Sequence, residues 1–195
     1  MLSIINPLPY EIRQEGHIYK LTPAFDNVLR MYKEIEGLDE WDKLDVMLFY
    51  LLKNPPKKPT VELLKKVSEV IFKPANGESS GGDKSFDFEQ DSDLIYAAFM
   101  QAYGIDLFKE QGKLHWWKFS ALLNSLPSNT RFSEIVSIRT RPIPAPTKYN
   151  EKERADLIRL KRIYSLELSA AEKREKLQKS LQGLVTYLDA ATKGK

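Results

Sequence analysis

The chain has no cysteine. Disulfides, thiol nucleophiles and thiolate metal sites are therefore excluded. Histidine occurs only at His17 and His115, and two distant histidines make a poor start on the three or four ligands of a zinc site. Glycine is sparse, at nine residues, and none builds a phosphate-cradling loop. No Ser/His/Asp arrangement stands out. No apolar run approaches the roughly 20 residues that span a bilayer. The N-terminal MLSIINPLPYEIR lacks the basic region and small-residue cleavage site of a secretory signal. These absences predict a cytoplasmic, non-enzymatic protein with no cofactor, no bound metal and no membrane partner.

What is present suits a folded body. Hydrophobic residues make up 42% and charged residues 29% of 195 positions, enough for one good core and too apolar for wholesale disorder. The net charge of +3 is unevenly placed. Residues 148–195 hold twelve Lys/Arg against seven Asp/Glu, which leaves eighteen against twenty in residues 1–147. A mildly basic tail suits an acidic partner, but its acids are interleaved, which argues against nucleic acid.

The periodicity predicts a mainly α protein: an irregular helical bundle with a short N-terminal β-hairpin and a C-terminal helical pair. Residues 10–14 and 17–21 alternate apolar and polar around Glu15-Gly16, a hairpin signal. Thr22-Pro23 reads as an N-cap and first turn, with Phe25, Val28, Leu29, Tyr32 and Ile35 on the buried face and Gly37 as the stop. Asp39 caps a second helix that buries Trp41, Leu44, Met47, Leu48, Leu51 and Leu52. Thr60 caps a third, with Leu63, Leu64, Val67, Val70 and Ile71 inside. Residues 75–84, ANGESSGGDK, form a flexible polar loop. A fourth helix runs from near Asp87 to Gly104, a fifth from about Lys113 to Asn124, and a sixth from Pro127-Ser128 to near Arg139. Pro142, Pro144 and Pro146 make a stiff spacer. The predicted organisation is thus a body over 1–141, a spacer over 142–147 and a charged helical hairpin over 148–195. Its two helices cover 150–168 and 169–190. The first carries Leu157, Leu160, Ile163, Tyr164 and Leu168. The second starts at a capping box, Ser169 to Glu172, and carries Leu177, Leu181, Leu184, Val185 and Leu188.

Four features compete for a functional role. The carboxylates Asp87, Glu89, Asp91 and Asp93 lack the glycine and distal glutamate of a calcium loop, and read as first-turn acids facing a helix dipole. His115 has no triad geometry around it. Trp116 and Trp117 point about 100° apart on a helix, so either one anchors the core and the other lies nearer the surface, where tryptophan is a frequent interface anchor, or both pack in the core or at its edge. Arg139 and Arg141 could meet a phosphate or carboxylate, or simply cap a solvated helix end. The candidate protein-interaction residues are therefore Trp116, Trp117, Arg139, Arg141 and the tail leucines Leu177, Leu181, Leu184 and Leu188.

The blocks FDFEQDSDLIYAAFMQAYGIDL and LHWWKFSALLNSLP, followed by FSEIVSIRTR and a charged helical tail, carry a family resemblance. The chain resembles the bacteriophage "gene product fifteen" proteins of Gram-positive tailed phages and prophages. The resemblance covers nearly the whole chain. It implies a role in long-tail assembly, as a chaperone coating the tape measure protein in the host cytoplasm and absent from the mature virion. Tail tube subunits and further copies of the chain are implied as additional partners. The family has no assigned catalytic residues, so none is carried over. A structural tail component retained in the particle is the alternative, and a nucleic-acid-binding regulator a weaker one.

Overall fold

Two residues in the left-handed region close the N-terminal turn. Glu15 has φ 49° and Gly16 has φ 78°, the pair of positive angles that matches the twist of a two-residue hairpin. Strands β1 (Glu11–Gln14) and β2 (His17–Lys20) pair antiparallel, Glu11 opposite Lys20 and Gln14 opposite His17. The computed structural model describes residues 5–72 and 85–167. A lone hairpin is marginal in water, and this one lies on helices. Ile12 is buried, the Lys66 ammonium donates to the Arg13 carbonyl, and Leu21 bridges to Leu52.

Seven helices follow among the described residues: α1 (Phe25–Glu34), α2 (Glu40–Leu51), α3 (Val61–Ile71), α4 (Ser92–Tyr103), α5 (Trp116–Asn124), α6 (Arg131–Thr140) and α7 (Glu151–Ile163). The protein is mainly α with one small hairpin, as its periodicity predicts. Local chemistry sets several ends. Asp39 accepts from the amides of Trp41 and Asp42, and Thr60 accepts from Leu63. Gly104 closes α4 at φ 66°, where a β-carbon would be strained. Residues 75–84 and the predicted helix over 169–190 lie outside the described residues, as does Leu168.

Several expectations need correction. Thr22 does not cap α1. The helix begins at Phe25 without a side-chain cap, and the Thr22 hydroxyl instead donates to the Tyr50 carbonyl at 2.6 Å. The chain from Leu21 to Ala24 is extended because its backbone is already engaged: Thr22 N–H donates to Leu51, Phe25 N–H to Leu114, and Pro23 accepts from Trp116. Trp41 is 74% exposed rather than buried. It stands in the first turn of α2, about 60° around the helix from Leu44, on the margin of the face that Leu44, Leu48 and Leu51 bury. On α1 the fully buried residues are Val28 and Met31, while Tyr32 is 42% exposed. Helices α4, α5 and α6 start a few residues later than expected. The lead-in segments form turns, and α6 is capped by the buried Thr130. Of the stripe on α7, only Leu157 is buried.

The apolar residues form two clusters. One joins Ile12 and Leu21 to Val28 and Met31 of α1 and to the inner faces of α2 and α3. The other joins Phe25 to α4, α5 and α6 through Ile95, Phe99, Phe119 and Phe132. Trp116 packs against both. The first compact unit of the chain runs Met1–Tyr164, so the proline segment 142–147 lies within it. Helix α7 packs on α6, and the Arg154 guanidinium donates to the Pro144 carbonyl.

This packing separates positions that look alike in sequence. Met31→Ala should cost about 2–5 kcal/mol, as cavity-forming core truncations do. Trp41→Ala should change stability by less than about 0.5 kcal/mol. Urea unfolding of the two variants checks this, and equal losses would contradict the burial pattern.

Candidate docking groove

An apolar groove of about 610 Å³ opens between α1 and the segment that leads into α4. Leu29 and Tyr32 form one wall, and Phe86 and Phe88 the other. Charged residues rim it: Arg30 and Lys33 on α1 and Glu36 just beyond it, with Asp87 and Glu89 opposite. Further aromatic rings underlie it. Tyr32 and Phe88 each lie near Trp116, with ring centroids 6.2 and 6.1 Å away, and Trp116 stacks on Phe119 at 5.6 Å. Burial raises the pKa of the Tyr32 hydroxyl, consistent with a ring seated among apolar neighbours.

The second wall is irregular backbone, and its acids hold it in place. Asp87 accepts from the amides of Glu89 and Gln90, and Asp91 accepts from the amide of Asp87. Lys33 reaches across to Glu89 at 2.5 Å, and this hydrogen bond, with the charge of Glu89, raises the lysine pKa. Both groups are exposed, so the pair adds little stability and is open to salt. Of the four acids expected in the first turn of a helix, only Asp93 lies there.

Asp91 is buried, and its partner is Arg139. The guanidinium meets both carboxylate oxygens, at 2.6 and 2.9 Å, in a bidentate pair. It also donates to the carbonyls of Ser85 and Tyr164. Lys161 in turn donates to the Arg139 carbonyl. Arg139 is therefore not a solvated helix end. It ties the groove wall and the end of α7 to α6, and four of its five donors are used inside the fold. Arg141, two residues further on, is exposed.

The two tryptophans are both half-buried. Trp116 joins the clusters, and the Trp117 indole donates to the Ile71 carbonyl at 2.8 Å. They reach different neighbours, as adjacent helical positions must, yet both pack at the edge of the core. His115 is buried beneath them and caps α5. Its Nδ1 accepts from the Trp117 amide at 3.0 Å, and its Nε2 lies 3.4 Å from the Pro9 carbonyl. The neutral Nε2–H tautomer satisfies both contacts. Leu177, Leu181, Leu184 and Leu188 lie outside the described residues. Among the described residues, no group of three His, Asp or Glu side chains converges on a metal position, and no helix is long and apolar enough to cross a membrane.

Fold and groove together define a helical protein with an open aromatic groove rimmed by charge. The chain belongs to the Bacteriophage Gp15 protein family, whose model matches residues 4–166. It is a phage-related protein. The match takes in the groove, both tryptophans, Arg139 and Arg141, and stops short of Leu177. Comparison with curated proteins and with solved structures gave no match.

Sequence reasoning picked out Trp116, Trp117 and Arg139 without their roles, and missed the groove walls. Phe86 and Phe88 stand at alternate positions beside a glycine-rich stretch, a weak signal of an extended wall. Histidine is an uncommon N-cap, so His115 carried no capping signal.

Two outcomes follow from these contacts. Removing one partner of a buried ion pair strands the other charge. Arg139→Met and Asp91→Leu should each cost about 3 kcal/mol, while the apolar double variant that carries both should recover much of the loss. A double-mutant cycle in urea checks this, and additive losses would show that the pair is uncoupled. The second outcome concerns pH. Burial, with Lys118 nearby, lowers the His115 pKa below 6.5, and the Pro9 carbonyl only partly opposes this. Below about pH 6.5 the unfolded chain therefore binds a proton that the fold resists, and stability falls until the folded-state pKa is passed. His115→Asn keeps a capping acceptor and cannot titrate. It should flatten the fall in stability between pH 7 and 5. An unchanged pH profile would remove His115 from the account.

Proposed function

We propose that the protein is a non-enzymatic tail assembly chaperone that binds the tape measure protein during long-tail morphogenesis. The observation that carries this reading is an exposed aromatic groove in a chain of a bacteriophage family. A tape measure protein is a long rod rich in amphipathic helix, and one apolar stripe of such a helix fits a groove walled by Leu29, Tyr32, Phe86 and Phe88. The charged rim holds both signs, so it can register on mixed-charge helix flanks without strong preference. A single groove of this size gives modest affinity. Many copies along one client would supply the rest through avidity. Tail tube subunits are a second proposed contact. In this reading the protein acts in the host cytoplasm and leaves before the particle is complete.

The test is co-expression with the tape measure protein of the same genome, with a tag on this chain. A soluble complex with several copies per tape measure is expected. Tyr32→Glu places a charge in the groove at a partly exposed position, and should abolish co-purification while leaving the far-UV circular dichroism unchanged. A tape measure that stays insoluble and unbound would sink the reading. Mass spectrometry of purified particles separates the alternative, since a retained tail component would be found there.

A further inference from the structure

Two helices present outer faces of opposite charge, each with exposed apolar residues. On α2, Trp41 and Phe49 are 74% and 66% exposed. They stand eight residues apart, about 12 Å along the axis. Asp42 and Asp45 lie exposed between them. The nearest lysine on this helix, Lys43, is paired with Glu40. Beside Phe49 runs a groove of about 510 Å³ walled by Tyr50, Pro55, Pro56 and Pro59. The face is thus acidic at its centre, aromatic at its ends and backed by a hydrophobic slot.

On α7 the inward residue is Leu157, which packs toward α6. At 100° per residue, Lys152 and Arg159 fall within about 40° of the opposite, outward direction. Both are exposed, as are Ile158 at 43% and Ile163 at 57%. Glu151 and Asp156 stand at the margins of this face. Its centre is basic and its sides are aliphatic.

We infer that the outer face of α2 on one copy of this chain docks on the outer face of α7 of a second copy. Charge complementarity carries the choice of occupant. The carboxylates of Asp42 and Asp45 meet Lys152 and Arg159, while Ile158 and Ile163 cover the Trp41 and Phe49 rings and the proline-walled slot. A cation set over Trp41 adds a cation–π contribution. The contact runs head to tail, α2 of one copy on α7 of the next. Each joined pair then leaves one acidic face and one basic face free, and the assembly grows into a ring or an open filament rather than stopping at a dimer. The inference rests on these two faces and not on the identity of any client.

The test uses the full chain and two charge-reversed variants, Asp42→Lys/Asp45→Lys and Lys152→Glu/Arg159→Glu. All four positions are exposed, and circular dichroism with thermal melting confirms that each variant is folded. Should a reversal disturb the fold, Asp42→Asn/Asp45→Asn with a salt titration gives the same reading. Light scattering after size exclusion and sedimentation velocity should show wild-type species larger than a dimer, which dissociate as salt rises. Each variant alone should associate at least about tenfold more weakly. Mixed in equal amounts, the two variants should associate again, because each now offers the charge the other lacks at both faces. A monomeric wild type at its highest soluble concentration would overturn the inference. So would association that survives both reversals. Loss of association without recovery on mixing would also overturn it, since like faces would then be meeting.

Discussion

The two hydrophobic clusters share one indole. Trp116 packs against the hairpin, α1, α2 and α3 on one side and against α4, α5 and α6 on the other, and the remaining architecture is arranged to hold it there. A tryptophan buries more apolar area than almost any other side chain, so fixing its backbone determines how both clusters close. That backbone is pinned at three successive residues. Leu114 accepts from Phe25, His115 bridges to Ala24, and Trp116 donates to Pro23. The start of α1 is therefore extended before it turns helical. The loss of a side-chain cap there is offset by pairing with the start of α5. α1 then serves both clusters, Phe25 facing one and Val28 and Met31 the other.

A second constraint is electrostatic. Burying Arg139 and Asp91 removes two charges from water, a cost that a bidentate pair alone often fails to recover. The further bonds from the guanidinium to Ser85 and Tyr164 use two more of its donors and give the pair an architectural use. The segment 85–91 has little regular hydrogen bonding of its own. Without Arg139 it would lack an anchor opposite the Lys33–Glu89 contact, and the groove would lose a wall. The same side chain fixes the last turn of α7, so the groove and the basic outer face of α7 are held by one residue at opposite ends of its contacts.

What was legible in the sequence was whatever is encoded over a few residues. Glu15-Gly16, Asp39, Thr60 and Gly104 each act on neighbours two to four positions away, and each element they bound was readable. The stripes of α2 and α3 were readable for the same reason. Thr22 misled because its local pattern is a good cap, while its backbone is claimed by Leu51, far along the chain. Trp41 misled because hydrophobicity predicts burial only where another element arrives to cover it, and none arrives over the first turn of α2. The Arg139–Asp91 pair spans 48 residues, and no local rule predicts it. The family resemblance was legible in the aromatic blocks, and those residues build the groove floor and the core beneath it. They carried the family without showing which ring faces solvent.

The placement of the exposed surfaces bears on how one small chain could handle a long partner. Lys33 of α1 and Glu36 just beyond it line the aromatic groove, while Glu34 lines the slot beside Phe49. The two features therefore lie on different sides of the same helix end and need not compete for one occupant. A chain that self-associates through α2 and α7 keeps its aromatic groove open in every copy. Neighbouring grooves are then held at a fixed repeat, and a weak site becomes effective because the second and later contacts are intramolecular. The repeat also sets a register, so a client helix with apolar stripes at matching spacing would be favoured over one without. Selectivity would then arise from spacing rather than from any single groove, whose mixed-charge rim and aromatic walls discriminate little. A surface built this way needs no catalytic group and no deep pocket. It needs rings held at the edge of a core, as Trp116, Tyr32 and Phe88 are, and helices whose outer faces do not match their own.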